Sequence, residues 1–113
     1  MNEDTFLGKL LDSIQNALFE PDLSIDKLCS QLGVSTSSLY RNSVNLTGLS
    51  PNDLLKEIKL VHALNLMQKQ NKNISEIAYE LSFTNPSYFT RCFKKRFAVI
   101  PADFLKTLNT LVV

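Results

Sequence analysis

The run Ser87-Tyr88-Phe89-Thr90-Arg91-Cys92-Phe93-Lys94-Lys95 packs hydroxyls, a phenol and three cations into nine residues. On a helix turning 100° per residue, Ser87, Arg91, Lys94 and Lys95 share one side, with Tyr88 and Thr90 on its flanks. Phe89, Cys92, Phe93 and Phe97 gather opposite, and three phenylalanines at helical spacing need burial. The polar side suits hydrogen bonding to double-stranded DNA. An arginine can donate to guanine O6 and N7 together, hydroxyls can reach base edges or phosphates, and methyl groups can touch thymine. Lysines one turn further along would meet phosphates and so position the protein. The bland alternative is an ordinary solvated helix face, and the surroundings of the run decide between the two.

A weaker version of the same face lies fifty residues earlier, on Thr36 to Leu46. There Leu39, Ser43 and Leu46 point inward, while Ser37, Arg41, Val44 and Asn45 point outward beside Tyr40. Val44 and Asn45 stand where the later copy has Lys94 and Lys95, so two cations are missing. Ser43 replaces Phe93 and Asn42 replaces Cys92, which leaves this helix less firmly anchored.

The echo extends well beyond these helices. Ser-Pro-Asn-Asp-Leu-Leu-Lys from Ser50 is matched by Ile-Pro-Ala-Asp-Phe-Leu-Lys from Ile100. Ile25-x-x-Leu28-Cys29-x-x-Leu32-Gly33 lies over Ile74-x-x-Ile77-Ala78-x-x-Leu81-Ser82 at a separation of forty-nine. The chain is therefore two copies of one unit. In each, a polar starter (Ser24 or Asn73) opens a short amphipathic helix with a small residue, Cys29 or Ala78, at its middle. A tight turn follows at Gly33 or Ser82, then an apolar plug, Val34 or Phe83. A new capping cluster (Ser35, or Thr84 and Asn85 with Pro86 in the first turn) starts the second helix. Two short helices around such a turn describe a helix-turn-helix, whose second helix enters the major groove of DNA.

Between the copies, Ser50 caps and Pro51 begins a helix expected to reach about Lys69, roughly 27 Å long. Leu55, Ile58, Leu60, Val61, Ala63, Leu64, Leu66 and Met67 cover more than one of its faces, as in a helix wedged between two bodies. Held near the 34 Å or so of one turn of B-DNA, two recognition helices could enter successive major grooves of an asymmetric site. Before the first copy, Phe6, Leu7, Leu10, Leu11, Ile14, Ala17 and Leu18 form an apolar stripe expected to pack on it. The predicted fold is all-α, with residues 1–51 forming the first subdomain, 52–70 the connector and 71–113 the second subdomain.

Composition narrows the remaining choices. The 113 residues are 44% hydrophobic, enough for a modest core. No apolar run is long enough to span a bilayer and no signal-peptide pattern opens the chain, so a cytoplasmic protein without membrane contact is the expectation. The net charge of +1 conceals an asymmetry: residues 1–30 carry six acids against Lys9 and Lys27, whereas residues 31–72 are +3 and residues 73–113 are +2. Such a distribution fits a basic face on a near-neutral protein. Cys29 and Cys92 both fall on inner faces and are read as buried reduced thiols. His62 stands alone without a second ligand at metal spacing. No catalytic set or phosphate-cradling glycine loop is present, so neither an enzyme, a metal site nor a cofactor is expected.

The run Ile74 to Phe104, "ISEIAYELSFTNPSYFTRCFKKRFAVIPADF", closely resembles the signature of the AraC/XylS transcription regulators, and Leu23 to Lys69 resembles the first half of that domain. The resemblance covers about residues 5 to 107. It implies seven helices in two helix-turn-helix subdomains and sequence-specific binding to promoter DNA, with RNA polymerase as a further partner. Carried over by position, the base-reading residues are Ser37, Tyr40 and Arg41 in the first subdomain and Asn85, Ser87, Tyr88, Thr90 and Arg91 in the second. The family usually has glycine where Ser82 and Ala98 stand, which implies a left-handed backbone at both. Its first recognition helix and connector are commonly richer in Arg and Lys. Domains of this kind usually form one end of a longer protein that senses or dimerises elsewhere, and the style of the first residues looks similar to output domains of Bacteroides-type hybrid two-component sensors. The competing reading is a diverged helical protein-interaction module that uses its acidic first helix.

Overall fold

A helix begins where a polar side chain can replace the missing partner of an early backbone amide, and this chain supplies one at the starts of five helices. The computed structural model describes residues 3–16, 24–69 and 72–111. Among these residues it contains seven helices and no strand: α1 (Glu3–Asn16), α2 (Ile25–Leu32), α3 (Thr36–Thr47), α4 (Pro51–Lys69), α5 (Ile74–Glu80), α6 (Pro86–Phe97) and α7 (Pro101–Leu111). The expected all-α class is thus observed. Ser24 accepts from the Lys27 amide at 3.2 Å, Ser35 from Ser38 at 3.1 Å and Ser50 from Asp53 at 3.2 Å. Asn73 goes further: its Oδ1 accepts from the Glu76 amide at 2.8 Å while Glu76 Oε1 accepts from the Asn73 amide at 3.0 Å, a reciprocal box. Asn85 caps α6 by accepting from Tyr88 at 2.8 Å, and Pro86 takes the first turn. Each cap is worth about 1 kcal/mol.

The duplication is visible in the turns. Gly33 (φ 68°) and Ser82 (φ 62°) both adopt the left-handed conformation. Val34 then donates to the Cys29 carbonyl at 3.1 Å, and Phe83 donates to the Ala78 carbonyl at 3.0 Å. The same closure thus ends both first helices and turns the chain toward the second. A further left-handed pair ends the recognition helices, Gly48 (φ 79°) after α3 and Ala98 (φ 69°) after α6. Each donates its amide to a carbonyl four residues back at 2.8 Å. Ser82 and Ala98 thus adopt the left-handed backbone expected of them, with φ close to those of Gly33 and Gly48.

The chain divides into two compact units, Met1–Ile58 and Lys59–Val113, the division falling inside α4. In the first unit α1 packs on α2 and α3, as its stripe requires, and α2 packs on α3. Leu10, Ile14, Leu28, Cys29 and Leu39 are buried there; Ala17 and Leu18, also assigned to the stripe, lie outside the described residues. In the second unit α6 packs on α5 and α7. A train of rings fills it: Phe83 to Phe89 at 5.0 Å, Phe89 to Phe93 at 5.8 Å, and Phe93 to both Phe97 (4.8 Å) and Phe104 (5.9 Å). Lys59 lays its Nζ 5.6 Å from the Phe83 centroid, and burial pushes its ammonium below the usual lysine range. Lys72 pairs with Glu80.

Three expectations need correction. Cys92 is only half-buried, because it sits at the edge of the phenylalanine stripe, although both thiols are free as expected. On α4, Val61 is exposed and Leu54 is buried, so the apolar face begins earlier than the sequence pattern suggested and does not include every apolar residue. Ser43 is not a loose anchor. Fully buried, it donates from Oγ to the Leu49 carbonyl at 2.7 Å, and Thr47 Oγ1 donates to the Ser43 carbonyl at 2.7 Å. Hydrogen bonds in α3 thus stand where α6 has aromatic packing.

Three outcomes follow from this geometry. Ala98 is exposed, so Ala98→Gly should raise unfolding free energy by about 1 kcal/mol in chemical denaturation, because only the left-handed strain is removed. A Cβ at Gly48 would meet no atom within 4 Å, so Gly48→Ala should lower it by a similar amount for the same conformational reason. In native-state amide exchange, α6 should be protected more strongly than α3, since it buries two phenylalanines against one leucine and one serine; equal protection would show that the Ser43 bond fully replaces the rings.

Candidate nucleic-acid interface

Burial of Phe89 and Phe93 on one side of α6 leaves the opposite side to the polar residues. Asn85, Ser87, Arg91, Lys94 and Lys95 are exposed, and Tyr88 and Thr90 are half-buried on the flanks. These are the positions anticipated from the sequence, gathered along one helix. Tyr88 is held from below, its ring 6.0 Å from that of Phe83. The Arg91 guanidinium carbon sits 5.8 Å from the Tyr88 centroid, within cation–π range. The contact limits the directions in which Arg91 can reach. Asn85 has a structural duty besides any contact with bases, since its Oδ1 already accepts from the Tyr88 amide.

The cations of α6 cluster in its last turn, Lys94, Lys95 and Arg96. There they complement the negative end of the helix dipole as well as widening the basic face. Arg96, the counterpart of the apolar Leu46 at a separation of fifty, is not among the residues expected from the sequence to meet DNA. It is exposed, its guanidinium carbon 5.0 Å from the Phe97 centroid. The unbroken Lys-Lys-Arg run is the signal that could have included it.

In the first unit, α3 presents Ser37, Tyr40, Arg41, Val44 and Asn45, all exposed. Arg41 is its sole charged residue, and its last turn holds no basic residue. Asn42 turns back to the helix, donating to the Ser38 carbonyl at 2.9 Å. Beside Tyr40 lies a cavity of about 240 Å³ lined by Ile25, Thr36, Tyr40, Ser50, Pro51 and Asn52, smaller than the usual small-molecule pocket of some 300–1,000 Å³. Among the described residues no group of three or more His, Cys, Asp or Glu could hold a metal ion. No helix among them is long and apolar enough to cross a membrane.

Comparison with known proteins gives these faces a context. A helix-turn-helix domain model matches residues 28–107. The chain is 28% identical over 102 residues, 90% of its length, to histidine kinase P4 of Formosa agariphila, of which it spans 7%. Against other curated relatives it spans 57% and 32% of their lengths, so they too are longer proteins. Among solved structures it is similar to the C-terminal domain of AraT, a response regulator from Geobacillus stearothermophilus. The TM-score is 0.82 at 27% identity, covering 90% of this chain and 84% of that one. The DNA-binding domain of AdpA, a global transcriptional factor solved in complex with a target DNA, shares the fold with a TM-score of 0.81 at 19% identity, covering 90% and 94%. With two helix-turn-helix units, a polar face on each second helix and a family match over most of its length, the chain belongs to the AraC-type helix-turn-helix family, as a DNA-binding transcription-regulator domain.

Proposed function

We propose that α3 and α6 enter successive major grooves of one asymmetric promoter site, with α6 as the principal reader. The observation that carries this reading is the exposed Ser87–Arg91–Lys94–Lys95 face, set directly opposite two fully buried phenylalanines. Arg91 donates to a guanine edge, Ser87, Tyr88 and Thr90 meet neighbouring bases or phosphates, and Lys94 and Lys95 neutralise phosphates. Ser37, Tyr40 and Arg41 do the corresponding work on α3, with fewer charges.

The domain is the output end of a longer cytoplasmic signalling protein. Its likeness to a short part of a histidine kinase and to a response regulator's C-terminal domain supports a two-component origin. In that arrangement the rest of the protein senses and dimerises, and the DNA-bound domain contacts RNA polymerase.

Oligonucleotides selected from a random pool by the 113-residue chain would give the site. On it, Arg91→Ala should cost about 1–3 kcal/mol at one base pair and relax specificity there, while Lys95→Ala should weaken all sequences alike and reduce the slope of log affinity against log salt by about one. Unchanged discrimination in Arg91→Ala would overturn the placement of α6. No binding to bulk DNA at low salt would instead favour a protein-interaction module.

A further inference from the structure

The exposed surface of α3 differs in kind from that of α6. Around its single charge, Arg41, stand two exposed apolar side chains: Tyr40, 56% exposed, and Val44, 37% exposed. Val44 lies four residues after Tyr40 and three after Arg41, so the three occupy adjacent places on one side of the helix. Its counterpart at a separation of fifty is Lys94. Where the second unit holds out an ammonium group, the first holds out an isopropyl group. That choice costs the free chain some helix propensity, since β-branched residues are poorer helix formers, and it leaves Val44 37% exposed. Its use is in a complex, and the apolar group that the major groove offers is the 5-methyl of thymine.

We infer that Val44, flanked by the Tyr40 ring, reads thymine methyl groups in the half-site under α3. The inference rests on the proposed entry of α3 into a major groove. It divides the labour between the units: α6 contributes charge and hydrogen bonds, and α3 contributes apolar contact that salt does not screen. Thymine would therefore be specified in the first half-site by shape and desolvation, with Arg41 beside the patch as the one cation.

Deoxyuridine tests this directly, because it deletes the methyl group and keeps the base pair. In the selected site, each thymine is replaced singly by deoxyuridine and the duplexes are titrated with the unaltered chain, with Val44→Ala and with Val44→Lys. At one or two positions the unaltered chain should lose about 3- to 6-fold in affinity. That loss should shrink below about twofold in Val44→Ala, the coupling expected of groups in contact. Val44→Lys should erase the thymine dependence and steepen the salt slope by about one. Both variants alter an exposed position and install better helix formers, so folding is preserved. Full affinity on every deoxyuridine duplex, or an undiminished loss in Val44→Ala, would overturn the inference. If Arg91→Ala still weakens binding in that case, the placement of α6 stands alone; if no site is selected at all, both fall.

Discussion

Burial of one side of each second helix governs what the other side can present. In α6 the constraint is severe, because Phe89 and Phe93 are fully buried and in ring contact with Phe83, Phe97 and Phe104. A rotation of the helix by one residue, 100°, would drag these rings into water and bury cations. Removing a phenylalanine from such a core typically costs 3–5 kcal/mol, far more than any single polar contact on the outer face could return. The direction of Arg91, Lys94 and Lys95 is thus decided by residues that never meet a ligand.

The left-handed turns supply the second constraint. Helices α2 and α5 close with the same amide-to-carbonyl bond across Gly33 and Ser82, and this delivers Val34 and Phe83 inward before the next cap. The turn is kept even where glycine is not, at a conformational cost of about 1 kcal/mol. Caps at Ser35 and Asn85 then start the recognition helices from extended backbone. Local chemistry places the helix and burial sets its rotation.

Much of this was legible in the residues because the signals are local. Caps, prolines in first turns and the spacing of Phe89, Phe93 and Phe97 each act within a turn or two of helix, and the duplication allowed each copy to check the other. What escaped depends on how the chain leaves a helix and on where a packed stripe ends. Ser43 looks like a defect when set beside Phe93, since nothing local announces that the Leu49 carbonyl will come back over it after the cap at Gly48. Leu54 and Val61 could not be sorted by periodicity on a helix apolar on several sides. The half-burial of Cys92 depends on where the stripe's edge falls, which a wheel resolves only to within a residue. At the candidate interface, Arg91 and its neighbours were legible from helical spacing, whereas the ring of Tyr88 beside the guanidinium required coordinates.

The two recognition helices are fastened by the same forces in different proportions, Leu39 and the hydrogen-bonded Ser43 in α3 against Phe89 and Phe93 in α6, and temperature acts on these forces differently. Apolar burial weakens on cooling because its driving force near 25 °C is largely entropic. The hydroxyl bond from Ser43 to Leu49 has no such dependence of comparable size. Warming through the moderate range therefore tightens the seat of α6 relative to that of α3, and cooling brings the two closer to parity. The two copies of one structural unit thus respond unequally to temperature, because one filled the shared position with a ring and the other with a hydroxyl.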